Sequence, residues 1–258
     1  MGHIRLGRLP RTVRWIAVVE ELASPEASVD SVSDRTLLAA SASLRRAVDE
    51  RGCYLPLLNL SRLASAAHSE ATFEHELAGL GIPENVRRDG LRLLIALENA
   101  TSGERERHRT VFTDIAERAF REVVRSRVRS EAESLWGVSP ENVRRAFARQ
   151  STEQGYSEAV RDWFSRFIGR TLQYFIDREL SNQIGRGIAQ TSTDAVHLEQ
   201  AVLKYAFERT RILRDYAPGW FSKILWTEGG IPEEAARRFF AYGIKKVLDD
   251  VALEQKEK

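Results

Sequence analysis

Apolar residues recur along this chain at intervals of three and four, and runs that alternate apolar with polar residues are scarce. That period belongs to amphipathic helices, and it predicts an all-α protein, a multi-helix bundle of about nine to ten helices. Thr12 is placed to cap a first helix carrying Val13, Ile16, Ala17 and Val19 as far as Ala23. Ser24-Pro25-Glu26 then reads as a stop followed by a new N-cap with proline at the first helical position. Segments 34–50, 55–67 and 69–80 are rich in Ala and Leu and end at or before glycine, as helix C-termini do, and a further helix is expected over 86–98.

The stretch 99–107, NATSGERER, is the most polar break in the chain and suggests two lobes. Residues 1–103 would form a short-helix N-terminal lobe with a basic arm, and 104–258 a long-helix C-terminal lobe. In the second lobe, 106–136 places Phe112, Ile115, Ala119 and Val123 on one side, and Ser139-Pro140-Glu141 starts another helix. A helix over 157–182 carries Trp163, Phe164, Phe167, Ile168, Phe175 and Ile176. The segment 194–216 is apolar around most of its circumference, with a polar stripe of His197, Gln200, Lys204, Glu208 and Arg211, and reads as a central helix. An aromatic loop with Trp220, Phe221 and Trp226 then precedes a last helix over 232–253.

Length and composition narrow the class. A chain of 258 residues with 43% hydrophobic and 29% charged content can bury a sizeable core and is neither disordered nor fibrous in type. The longest apolar runs, such as 91–97, fall far short of a membrane span, and Val18-Val19 leads straight into Glu20-Glu21 with no export signal. A single cysteine, Cys53, cannot form an internal disulfide and reads as a small apolar side chain. These features together point to a cytoplasmic protein. The net charge of +2 hides a bias in type: only six of the 39 basic residues are lysine, the first at Lys204. Arginine forks suit phosphates and carboxylates better than lysine does.

No phosphate-cradling Gly-Lys-Ser/Thr loop, Ser-His-Asp arrangement or dinucleotide glycine fingerprint is present. No cofactor and no metal is expected. His68, Glu70, Glu74 and His75 form the only local cluster with metal-ligand chemistry, read here as a solvated helix end. Asp162, Asp177 and Glu179 have arginines at helix spacing and read as a solvated face, and Gly185-Arg186-Gly187 reads as a helix terminator. Basic surfaces remain. Arg118, Arg121, Arg125 and Arg129 share one side of their helix, and Arg144, Arg145 and Arg149 follow. In the opening GHIRLGRLPRTVRW, Arg5, Arg8, Arg11 and Arg14 have no acid among them before Glu20, which suits an extended arm with Ile4, Leu6 and Leu9 docked. That arm either tucks into its own chain or meets an acidic partner or a phosphate backbone.

The opening Gly2-His3-Ile4-Arg5-Leu6-Gly7, with Leu9-Pro10, Thr12 and Trp15, together with Trp220-x-x-Lys223, Gly229-Gly230-Ile231 and Lys245-Lys246, resembles a group of uncharacterised bacterial proteins encoded in multi-gene clusters. The resemblance runs nearly end to end. It implies a bacterial cytoplasmic subunit that works beside other gene products, in phage or mobile-element defence. It transfers no catalytic residue.

The expected function is a non-enzymatic adaptor of a larger protein complex, contacting other protein subunits through the arm and through Trp220, Phe221, Lys223 and Trp226. The alternative is a nucleic-acid-binding subunit using the arm and the surface from Arg118 through Arg121 and Arg125 to Arg149. A third reading is a hydrolase with an unfamiliar site at His197, Lys204 and Glu208. No membrane partner is expected.

Overall fold

The computed structural model describes residues 12–100, 110–133, 137–185 and 187–257. Among them the secondary structure is all-helical, in twelve helices: α1 (Val13–Ala23), α2 (Val29–Ala47), α3 (Arg51–Ala66), α4 (Glu70–Gly79), α5 (Glu84–Arg87), α6 (Gly90–Glu98), α7 (Val111–Val123, continuing through a π-helical stretch Val124–Arg129 into Ser130–Ala132), α8 (Pro140–Gln150), α9 (Glu153–Gln183), α10 (Ser192–Arg209), α11 (Arg211–Glu228) and α12 (Glu233–Glu257). The expected class holds, while the expected nine to ten helices become twelve.

Local hydrogen bonds explain the extra boundaries. Asp89 caps α6 by accepting from the Arg92 amide at 3.0 Å, so the helix expected over 86–98 divides into α5 and α6. The amide of Ser24 donates to Glu21 O and ends α1 as expected, but the next helix does not start at Pro25. Ser28 and Ser31 exchange reciprocal side-chain-to-amide bonds of 3.0 and 3.1 Å, and α2 starts there. Thr12 precedes α1 without a side-chain capping bond, whereas Ser139 accepts from the Asn142 amide ahead of Pro140 at the start of α8.

The segment expected as one helix over 194–216 breaks at Thr210, and the expected aromatic loop is helical, forming most of α11. Pro218 lies inside α11 and has no amide hydrogen to give to Arg214 O, four residues earlier. The hydroxyl of Ser157 donates to that carbonyl at 2.7 Å instead. A bond from a residue 57 positions away thus lets the helix run through its proline.

Contacts along the chain define two compact units, interleaved in sequence. The first draws on residues up to 46, on 165–210 and on 244–258; the second comprises 47–164 and 211–243. The lobe boundary expected at 103/104 lies outside the described residues. In the first unit, Trp15 of α1 packs on Phe175 of α9, ring centroids 4.7 Å apart. Gly169 of α9 lies under Leu203 and Ala206 of α10, where an added Cβ would fall 2.8 Å from Leu203 Cδ2. Ile188 N donates to Leu22 O at 3.1 Å, which pins the turn after α9 to the end of α1.

In the second unit α3 is buried along most of its length, from Cys53 to Ala66. Trp163 is fully buried, donates its indole N–H to Ala116 O of α7 at 3.3 Å, and meets Phe240 of α12 edge-on. Tyr156 donates or accepts at Ser61 Oγ over 2.7 Å and stacks on Phe221 at 3.9 Å.

Candidate functional site

Among the described residues, four groups of charged, aromatic or imidazole side chains stand out, three in the second unit and one in the first. The arginine stripe of α7 comes first. Its central acid is Glu98, at the end of α6 and only 4% exposed. Arg125 Nε donates to Glu98 Oε2 at 2.8 Å, Arg129 Nη1 to Oε1 at 3.4 Å, and Arg121 Nε to the Glu98 carbonyl at 3.3 Å. Arg121 also pairs with Glu117 at 2.6 Å, and Arg129 with Glu133 at 2.9 Å. Between them Arg127, also on the π-helical stretch, pairs with Glu158 and Asp162 of α9 at 3.1 and 2.8 Å. Arg118 is exposed. The stripe is therefore a set of internal ion pairs around a buried acid, and its outward field is much smaller than the sequence suggests. The later arginines behave likewise: Arg144 and Arg145 both pair with Glu141 at 2.8 Å, holding that carboxyl down to about 2, and Arg149 pairs with Glu131 at 3.3 Å.

The second group is the aromatic helix α11. Phe221 is 3% exposed against Tyr156, and Trp220 stacks on Phe239 at 4.2 Å with the ring planes 11° apart. Phe221 is buried and Trp220 is half-buried, its ring covered on one side. Trp226, by contrast, is 87% exposed, and Lys223 is exposed one turn before it on the same side of the helix. The helical period thus divides the expected interface residues, two inward and two outward.

The third group is a cleft of about 680 Å³ between the α3–α4 corner and the α11–α12 turn. It joins His68 and His75, while the other two members of the sequence cluster are elsewhere. Glu74 pairs with Arg87, and both Glu70 and Glu74 line a separate cleft of about 240 Å³ with Glu141 and Arg144. No group of three metal-ligating side chains forms among the described residues. Arg62 crosses the larger cleft, donating from Nε to Ile231 O at 2.9 Å. Sequence reading missed Arg62, whose only signal was its position on an otherwise buried helix.

The fourth group is a buried ionic cluster in the first unit. Asp34 of α2 is fully buried. It accepts from Tyr205 Oη, from Arg209 Nη2 at 3.1 Å and from Gln255 Nε2 at 3.2 Å. Arg209 extends the cluster to Asp250 at 3.5 Å and to both oxygens of Glu254, the second at 2.7 Å. Burial and the Asp34 carboxylate push the Tyr205 phenol upward, and the Glu254 bonds raise Arg209, so the tyrosine stays neutral and the guanidinium charged. A buried pair of this kind ties α2, α10 and α12 into one arrangement.

Arg14 is exposed and donates to Leu38 O and Ser41 Oγ of α2 at 3.2 and 3.3 Å; Arg5, Arg8 and Arg11, and also Arg186, lie outside the described residues. His197, Lys204 and Glu208 are all exposed on α10, without the exclusion of water that enzymic sites exploit. Burial and the neighbouring Glu50 push the Cys53 thiol up, which keeps it in the unreactive protonated form. No described helix is long and apolar enough to cross a membrane. Comparison with known protein families, with curated proteins and with solved structures gives no match.

Proposed function

We propose that this chain is a non-enzymatic adaptor subunit of a bacterial multiprotein complex, of the kind that the sequence resemblance associates with phage or mobile-element defence. The observation that carries the reading is Trp226, a tryptophan left 87% exposed on the same helix that buries Phe221 to 3% and stacks Trp220 on Phe239. Tryptophan is strongly preferred as an anchor at protein interfaces and is rarely presented to water without a partner. Lys223 beside it supplies a cation at the rim, where charges steer association. The commitment of Arg121, Arg125 and Arg129 to Glu117, Glu98 and Glu133 counts against direct duplex binding by α7, since those forks are already filled.

The test is co-expression with the products of neighbouring genes, pulling on this chain with and without nuclease. The adaptor reading expects a partner that survives nuclease and is lost from Trp226→Ser, with the helical circular dichroism unchanged. Replacing Arg5, Arg8, Arg11 and Arg14 together with alanine tests the arm in the same assay. Association that disappears with nuclease, and binding to DNA that falls steeply with salt, would replace the adaptor with the nucleic-acid reading.

A further inference from the structure

The cleft between α3–α4 and the α11–α12 turn is separate from the Trp226 surface and does not depend on the adaptor reading. Its geometry starts from Arg62. The bond from Nε to Ile231 O fixes the plane of the guanidinium, while Nη1 and Nη2 make no hydrogen bond among the described residues, and the nearby Glu233 carboxylate feels its charge without bonding to it. A guanidinium held by one nitrogen with its outer pair open is the fork that receives two oxygens of a phosphate or carboxylate.

Two imidazoles line the same space. His68 is oriented by a 2.6 Å bond between Nδ1 and Ser65 O, which makes Nδ1 the donor and turns Nε2 away from the backbone. His75 follows Thr72 by three residues on α4, so both line the cleft from one face of that helix. Two carboxylates, Glu76 and Glu228, also line it, and neither forms an ion pair with Arg62. They would repel a bare anion and accept hydrogen bonds from hydroxyls. The volume of about 680 Å³ is far larger than a single oxyanion needs and falls within the range of small-molecule pockets. Ile231 and Pro232 give it an apolar wall.

We infer that this cleft binds a small phosphomonoester with a hydroxylated body, its phosphoryl oxygens on Arg62, His68 and His75 and its hydroxyls on Glu76 and Glu228. The lining explains the choice: a fixed guanidinium and two imidazoles supply donors for a phosphoryl group, and two carboxylates supply acceptors for neutral hydroxyls.

The experiment is a titration of the full chain with ribose 5-phosphate, inorganic phosphate and ribose, followed through the histidine ring resonances at one pH and ionic strength. Saturable shifts of His68 and His75 with ribose 5-phosphate are expected, with inorganic phosphate about tenfold weaker and ribose silent, as befits loss of one or two hydrogen bonds. Arg62→Gln should abolish the shifts. His75→Gln, at an exposed position with no hydrogen bond among the described residues, should weaken binding about fivefold to tenfold with the fold intact. Tighter binding of inorganic phosphate than of the ester would reduce the cleft to an adventitious ion site. Linear shifts without saturation, or shifts unchanged in both variants, would overturn the inference outright.

Discussion

Asp177 shows how far a single residue's surroundings can depart from its sequence context. Arginines at helix spacing suggest a solvated, paired carboxylate, yet its Oδ1 is enclosed with no hydrogen-bond partner among the described residues. Burial first and the nearby Glu199 second push its carboxyl up from the ordinary 3.8 to about 6. The folded form then holds a proton more tightly than the unfolded form. The stability this residue contributes is complete below about pH 4 and is lost as pH rises through about 6. Asp177→Asn removes the ionised form altogether. It is expected to raise stability at pH 7.5 by about 1 kcal/mol, after allowance for solvent screening, and to change little at pH 4, as denaturant melts at the two pH values will show. Spacing along one helix revealed the arginines, but not the acid contributed by another helix.

At the scale of the element, α11 is the informative case. Its sequence contains a proline, a glycine and four aromatics, a composition that reads as a plug-like loop. It is helical because the carbonyl released by Pro218 finds the Ser157 hydroxyl, and because Trp220 and Phe221 stack on Phe239 and Tyr156. The same period leaves Trp226 outward. Two substitutions five residues apart should therefore differ sharply. Phe221→Ala is expected to cost about 3–5 kcal/mol, and Trp226→Ser to stay within about 0.5 kcal/mol of the parent, both measured by equilibrium unfolding. Equal costs would mean that Trp226 is packed and would remove the basis of the adaptor reading. Where the start signals are strong, the elements were legible: Ser139-Pro140 begins α8, and the boundaries of α3, α4, α9 and α12 lie within a few residues of expectation. Where helices meet head to tail without glycine, as at Thr210, periodicity ran through the break.

Across the whole molecule, a near-neutral net charge conceals extensive internal pairing. Glu98 gathers Arg125 and Arg129 in the second unit, and Asp34 gathers Arg209, Tyr205 and Gln255 in the first. Asp34 and Arg209 are 175 residues apart in sequence. Asp34→Ala leaves a guanidinium that is 14% exposed without its most buried partner, and is expected to destabilise the first unit by about 3–5 kcal/mol in chemical denaturation. A loss under about 1 kcal/mol would show that Asp250 and Glu254 suffice to hold Arg209.

The sequence by itself determined the all-helical class, because the three- and four-residue period of apolar positions is a local property that survives any arrangement of the helices. It also determined the cap at Ser139, since a serine needs only the next three residues to act, although Thr12 and Ser24 carry the same signal without capping a helix there. The tertiary structure alone decided which arginines are spent on internal acids, which aromatics of α11 face inward, and that Arg62 shares a cleft with His68 and His75. Each of these depends on residues far apart in the chain, brought together by packing of apolar faces whose pairing no local pattern encodes.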